Sequence, residues 1–276
     1  MPRAIHAELE LTDCSGELWL NDVPLPSLPV RRPTFEISVP VHHLLVSGMN
    51  ELVLWVDVEG TPLDNKAPRR EAARPTAQAV ARLVAYETGV MASPENGQVL
   101  CTLAYRGADA PPSADDAEMA PRRRTVSIDL GMSFGPWAWQ KAPVLALDDL
   151  TRREAEGALR DLHAALFSGD AQRVLDLVPV RWEEMARAYP GGDGADDLRS
   201  HAAWIAELAA DPRRNVPLEP AHHAFRLVAG GRMIECIDED FFPSIRIAQE
   251  VEPNRWAAAP YPVSLARIGQ RLAVVR

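Results

Sequence analysis

The chain has 276 residues, room for one large domain or two of ordinary size, and its 47% hydrophobic and 25% charged content is the balance of a folded protein. Its 29 Lys and Arg stand against 39 Asp and Glu, a formal net charge of -10 that repels nucleic-acid phosphates and anionic membrane surfaces and suits a basic protein partner. Cys14, Cys101 and Cys236 are few and far apart, which argues against a disulfide framework and a CxxC metal knuckle.

The opening "MPRAIHAELELTDC" has no apolar core of a secretory signal. No apolar run approaches the roughly 20 residues that span a bilayer. With the scattered cysteines, these features predict a cytoplasmic protein.

The first half alternates apolar and polar residues, the period of half-buried strands. "AELEL" (7–11), "GELWLN" (16–21), "FEISVPV" (35–41) and "ELVLWVDV" (51–58) carry it first. "AVARLVAYET" (79–88), "QVLCTLAYR" (98–106) and "RTVSIDLGMSF" (124–134) continue it. About seven strands with frequent turn signals predict an antiparallel β-sandwich. The Asn turn of "LWLNDVPL", followed by Gly48 and Asn50 leading into a long strand, resembles a galactose-binding-like or jelly-roll sandwich over residues 1–60. That resemblance implies either sugar binding or a purely structural domain. "GADAPPSADDAEMAPRRR" (107–124) lacks periodicity and reads as a solvated loop, its Asp115, Asp116 and Glu118 screening Arg122, Arg123 and Arg124.

The second half opens on helices. Thr151 and Glu154 have capping-box spacing, and Ala155, Leu159, Leu162 and Leu166 share one helical face. Gly169 is placed to end that helix and Asp170 to cap a second one that stops before Pro179. "RWEEMARAYPGG" predicts a third helix and "ADDLRSHAAWIAELAADP" a fourth, with Leu198, Ile205 and Leu208 inward. After Pro217 the period becomes that of strands: "AFRLVAG", "RMIECID", "SIRIAQEV", "WAAAPYPVSLARIG" and "QRLAVVR", with hairpin turns at Gly230–Gly231 and Gly269–Gln270. A capped helix, the "SGDAQRVLDL" step with Ala165, Gly169, Asp170 and Leu175, further helices and then antiparallel strands resembles the nuclear transport factor 2-like, or SnoaL-like, domain over residues 148–276. The resemblance implies a curved sheet wrapped around helices to leave a conical pocket. Members include isomerases, cyclases and dehydratases as well as non-catalytic binding domains, so the fold alone does not assign chemistry.

For an enzyme of this kind, the resemblance implies pocket Asp and His as acids and bases. His163, His201, His222 and His223 are available, with Asp238 or Glu235 as the carboxylate. Against this, period 2 puts Glu235 on the face opposite Ile234 and Cys236, and "DED" before "FFP" reads as an exposed turn. His222 and His223 cannot both point to one side of a strand, and neither HxH nor HExxH spacing occurs, so no metal or cofactor is expected. GxSxG, P-loop, GxGxxG and kinase signatures are missing. Cys236 beside Glu235 reads as a buried structural thiol. Trp137 and Trp139 in "GPWAWQKAP" would share one face of a strand, packing the halves together or serving as a binding hot spot.

The sequence therefore predicts an α+β protein, an N-terminal antiparallel β-sandwich over residues 1–145 followed by an α+β cone over 146–276. The leading function is non-catalytic protein binding, concretely a bacterial immunity protein that neutralises a basic secreted toxin; a homodimer is compatible with it. The partner-facing candidates are Asp238, Glu239 and Asp240, then Asp193, Asp196 and Asp197, with Trp137 and Trp139. The alternatives are a SnoaL-like isomerase, cyclase or hydrolase acting on a small apolar ligand through His222, His223, Asp238 and Glu235, and a carbohydrate-binding module with an exposed aromatic platform on the sandwich.

Overall fold

The computed structural model describes residues 3–25, 34–56, 58–59, 69–70, 76–87, 95–109, 122–189, 194–239 and 241–276, except the side chains of 3, 58–59, 69–70, 109, 122 and 194–198. Helices and several antiparallel sheets make it an α+β protein, and the chain divides into two compact units, Met1–Gly135 and Pro136–Arg276.

The first unit contains β1 (Arg3–Thr12), β2 (Gly16–Leu20), β3 (Val23–Pro24), β4 (Thr34–Pro40), β5 (Met49–Val56), β6 (Val58–Glu59), β7 (Arg69–Arg70), β8 (Gln78–Glu87), β9 (Gln98–Arg106) and β10 (Arg122–Asp129). They form four-stranded sheets ordered β4-β1-β8-β9 and β10-β5-β2-β3, plus the short β6–β7 pair. The alternation seen in sequence becomes a buried face. Ile5, Ala7, Leu9 and Leu11 of β1 are buried, next to Ala79, Ala81 and Leu83 of β8, while His6, Glu8, Glu10 and Thr12 point the other way. A one-residue slip would exchange the two sets, so burial fixes the register. Gly16 is needed for a close approach, since a Cβ there would lie 2.8 Å from the Trp55 carbonyl oxygen.

Asn21 and Asp22 both have positive φ (53° and 60°) and make the tight β2–β3 turn that right-handed strand twist favours. Asn21 also holds Asn50. Its Nδ2 donates to Asn50 Oδ1 at 2.8 Å, and Asn50, fully buried, accepts from Val46 N–H at 2.8 Å and donates to the carbonyls of Val46 and Gly48. Gly48 turns the chain into β5 with φ 82°.

The expected loop at 107–124 ends earlier than its composition suggests. Gly107–Asp109 is a 3-10 turn, 110–121 lie outside the described residues, and Arg122 already starts β10. Arg123 lies 5.6 Å over the Trp55 ring and Arg124 5.6 Å over Tyr105, so aromatic faces on neighbouring strands recruit these arginines into the sheet.

The second unit contains α1 (Ala138–Lys141), α2 (Asp149–Leu166), α3 (Ala171–Leu177), α4 (Pro179–Ala188) and α5 (Gly194–Ala210). Strands β11 (His223–Val228), β12 (Met233–Asp238), β15 (Ser264–Ile268) and β16 (Arg271–Val274) form one sheet in that order, and β13 (Ile245–Glu252) and β14 (Arg255–Tyr261) form a separate hairpin. Ala155, Leu159, Leu162 and Leu166 of α2 pack with Val174, Ile205, Leu208, Phe225, Ile234, Ile245 and Leu265 in one aliphatic core, each at most 4% exposed. Complete burial of each large side chain stabilises by about 1.5–3 kcal/mol.

Several local expectations shift. Helix α2 starts one turn early: its cap is Asp148, whose side chain accepts from Thr151 N–H at 2.8 Å, while Thr151 is itself helical and buried. Asp170 caps α3 and Gly169 (φ 78°) ends the preceding turn, as their residue types suggest. The turn after β11 takes four residues, Ala229–Arg232, rather than the Gly pair alone. "WAAAPYPVSLARIG" is not one strand, because Pro262 separates β14 from β15 and they belong to different sheets. Trp137 and Trp139 are not on a strand: Trp137 precedes and Trp139 lies within α1. Ala138 N–H donates to Glu184 Oε1 and Leu145 N–H to the Gly231 carbonyl, tying residues 136–145 to the second unit, so the division falls before the expected 145/146.

Candidate functional site

The acids of "RMIECIDEDFFP" do not converge. Glu235 of β12 opposes Arg226 of β11, and Arg226 Nε donates to its Oε2 at 2.7 Å, with the guanidinium only 6% exposed. Asp238 ends β12 and is buried. Its Oδ2 accepts from Arg246 Nη2 at 2.5 Å and its Oδ1 from Phe242 N–H at 3.0 Å. Arg226 lies over Phe241 (5.5 Å) and Arg246 over Phe242 (6.0 Å), so each arginine joins an acid to an aromatic ring. Asp238 thus closes a turn and is not the exposed acid that a partner-facing role needs. Glu239 is exposed. Asp240 and Asp193 lie outside the described residues, and Asp196 and Asp197 lie on α5 with their side chains outside them.

The histidines also separate. His222 Nδ1 pairs with Glu219 Oε2 at 2.8 Å on the exposed side of a 3-10 turn. His223 starts β11 opposite Asp238, yet neither of its buried ring nitrogens has a hydrogen-bond partner. Burial lowers the His223 pKa from its ordinary 6.5, and the carboxylates of Glu156 and Asp238 only partly oppose that. His163 Nε2 donates to the Val216 carbonyl at 2.9 Å. Cys236 is fully buried. Burial, helped by Glu235, pushes its thiol pKa far up, which leaves no useful thiolate.

Trp137 and Trp139 are buried, at 2% and 6% exposure. The Trp137 ring has two guanidinium groups over it, Arg187 and Arg276, each 5.3 Å from its centroid. In the first unit no described Trp or Tyr is exposed: Trp19, Tyr86 and Tyr105 are buried and Trp55 is half-buried under Arg123. Among the described residues of that unit, no exposed Trp or Tyr is available for a sugar platform, and Phe35 and Phe134 are half-buried.

A pocket of about 400 Å³ opens elsewhere, between α4 and α5. Trp182, Met185, Ala186 and Tyr189 line it from the α4 side, and Ser200, His201 and Trp204 from α5. The first four are spaced i, i+3, i+4, i+7, one helical stripe, and His201 and Trp204 are i, i+3. Those stripes were the available sequence signal; "RWEEMARAY" and "SHAAW" read as ordinary amphipathic helices when taken one at a time. The His201 ring lies 5.1 Å from Trp182 and 5.6 Å from Trp204. Trp204 stacks on Tyr261 at 6.1 Å and 14°, and Arg181 lies 5.0 Å over Tyr261. Burial and then Arg181 lower the His201 pKa from its ordinary 6.5, which favours the neutral imidazole. Its Nε2 is buried and has no hydrogen-bond partner. Among the described residues no carboxylate lines the pocket; the side chains of Asp196 and Asp197, one turn before Ser200 and His201 on α5, lie outside them.

Among the described residues, no three His, Cys, Asp or Glu are grouped to hold a metal ion, and no helix is long and apolar enough to cross a membrane. Comparison with protein-family models, curated proteins and solved structures finds no match for this chain.

Proposed function

We propose that this is a non-catalytic protein-binding protein, built as an N-terminal β-sandwich and a C-terminal cone-like α+β domain of the nuclear transport factor 2-like kind. The observation that carries the reading is the filled space between α2 and the β11-β12-β15-β16 sheet. Leu159, Leu162 and Leu166 are fully buried there against Phe225, Ile234 and Leu265, where a cone enzyme would keep room for substrate. The acid–base candidates agree with it: Glu235 and Asp238 are neutralised by arginines, and His223 makes no hydrogen bond to a carboxylate. The concrete form of the proposal is an antagonist, an immunity protein that binds and neutralises a basic toxin. Its support is the net charge of -10, which would steer a basic partner toward the chain and quicken association.

The test is capture of partners by the tagged chain from lysate of its host at moderate salt, compared with charge reversal at exposed Glu239, Glu250 and Glu252. One stoichiometric basic partner, released by salt and lost on charge reversal, is expected. Retention of no partner at all, or of one indifferent to charge reversal at any acidic surface including Asp196 and Asp197, would overturn the antagonist reading.

A further inference from the structure

The β1–β4 ladder of the first unit ends on a side chain. Its last register pair is His6 with Pro40, a residue that has no N–H to give. One step on, Val41 N–H donates to the Ile5 carbonyl at 2.9 Å, and a return bond from Ile5 N–H to the Val41 carbonyl would complete the pair. That carbonyl is already engaged on both lone pairs. It accepts from Leu44 N–H at 2.9 Å and from Leu45 N–H at 3.2 Å, closing the 3-10 turn His42–Leu44. Ile5 N–H donates instead to His42 Nε2 at 2.8 Å, so an imidazole stands where the sheet would place a carbonyl.

That exchange has a chemical consequence. A backbone amide can only donate, so Nε2 is the bare nitrogen of a neutral ring and the proton sits on Nδ1. An imidazolium carries N–H on both nitrogens and accepts nothing, whereas a carbonyl keeps its lone pairs at any pH. We propose that His42 is an acid-released latch: protonation of its ring removes the acceptor of Ile5 N–H and frees Val41–His43 from β1.

The groups around the ring bear on where it goes once charged. His42 is half-buried, so solvent protons reach it. His6 of β1 is close enough that charge on His42 opposes charge on His6, and His43 follows in the same turn. Glu8 of β1 accepts from the Tyr86 hydroxyl of β8, which holds that carboxylate on the sheet. The end of β4, Ser38–Pro40, carries no charge, and the Phe134 ring, 5.7 Å from His42 at 64°, adds none. The far end of the turn is fastened by groups that do not titrate. Asn21 Nδ2 donates to the Leu44 carbonyl at 2.8 Å, and Asn50 bonds both the N–H and the carbonyl of Val46. Opening is therefore local, and Val41, fully buried, is the side chain it uncovers. Imidazoles titrate between about pH 5 and 8, so the latch is closed at the upper end of that window and open at the lower. It does not depend on the partner-binding reading, and either can fail alone.

The experiment is amide hydrogen exchange by NMR on the intact chain, with each rate divided by its intrinsic rate at that pH. Ala7 and Leu9 are the controls, since they pair with Val39 and Ile37 in the regular β1–β4 ladder. Between about pH 8 and 5, Ile5 and Val41 are expected to lose about tenfold in protection relative to Ala7 and Leu9, while Val46 does not. In His42→Gln the side-chain oxygen accepts at any pH, so the ratio should stay high and flat. In His42→Ala it should be low at both ends. Long-range nitrogen–proton correlation at the upper pH should find His42 Nε2 bare and Nδ1 protonated. The proposal is overturned if Ile5 and Val41 follow the controls across the window, if His42→Gln keeps the parent's pH dependence, or if Nδ1 is the bare nitrogen. Should a variant fail to fold, the parent's ratio and its ring-nitrogen assignment still decide.

Discussion

Arg276 donates from Nη1 to Glu184 Oε2 at 2.5 Å, and the two side chains are only 7% and 4% exposed. The other Glu184 oxygen accepts from Ala138 N–H at the start of α1 and from Arg187 at 3.3 Å. One buried carboxylate thereby holds α1, its own helix α4 and the segment after β16. Burying an ion pair is not in itself stabilising, but removing one partner strands the other in a low-dielectric site. Glu184→Ala is expected to destabilise the second unit by about 3–5 kcal/mol in urea unfolding. The double variant Glu184→Leu/Arg276→Met should be closer to the parent than either single change, since no charge is left stranded. A single-variant loss below about 1 kcal/mol would mean that water reaches the pair.

Asp238 and Glu239 are neighbours with opposite roles. Asp238 accepts from Arg246 and Phe242 N–H and is buried, whereas Glu239 is exposed. Asp238→Ala is expected to cost on the order of 2 kcal/mol, because a backbone donor and a guanidinium both lose their acceptor. Glu239→Lys should stay within about 0.5 kcal/mol of the parent. Thermal unfolding of the two variants measures both. If Asp238→Ala unfolds like the parent, the carboxylate is free to meet a partner after all.

The same residues show what the sequence could and could not convey. Period 2 places Ala7, Leu9 and Leu11 on one buried face, and period 3.6 does the same for Ala155, Leu159, Leu162 and Leu166, because burial of a face is written locally. Pairing is not. Nothing near Glu235 or Asp238 in sequence distinguishes acids that face solvent from acids met by Arg226 across a strand or by Arg246 across a turn. The sequence leaves Trp137 open between packing and a binding hot spot for the same reason: Arg276, one of the two arginines over its ring, lies over a hundred residues away along the chain. The α4–α5 pocket was hidden because each wall alone is an amphipathic stripe, and only their apposition leaves space.

Asn50 offers a test in the first unit. It is fully buried, and its side chain makes hydrogen bonds with the backbone of Val46, the carbonyl of Gly48 and the amide of Asn21. Leucine has the same branched outline, with larger methyl groups in place of the amide, and satisfies none of these groups. Asn50→Leu should therefore destabilise the unit by about 2–4 kcal/mol, several stranded donors and acceptors at 1–3 kcal/mol each being partly relieved by water. Gly48→Ala should cost about 1 kcal/mol through its positive φ alone, since no atom lies within 4 Å of the added Cβ. Hydrogen exchange at residues 46–56 should report the first change as sub-global opening of β5. Unchanged protection would show that Asn50 is not the fastener of that strand.

Stability should fall as the solution is acidified, and the histidines set where the fall begins. His6, His201 and His223 each have a pKa lowered from 6.5, burial being the largest cause in all three. Glu8 raises and His42 lowers that of His6; Arg181 adds to the lowering at His201; Glu156 and Asp238 work against it at His223. Above pH 6.5 these rings are neutral in both folded and unfolded chains and contribute nothing. Below it the unfolded chain takes up protons that the folded chain resists, so the folded state loses stability until each folded-state pKa is passed. A second loss follows below the ordinary carboxylate value of 3.8, where Asp148 and Asp211, lowered by hydrogen bonds from Thr151 and Arg213, must be protonated. Denaturant midpoints between pH 7.5 and 5 should therefore decline, and His201→Phe should flatten the slope for the second unit while leaving the first unchanged. A midpoint that rises on acidification through this window would mean that the rings gain acidic partners when charged, the reverse of the arrangement found around His201.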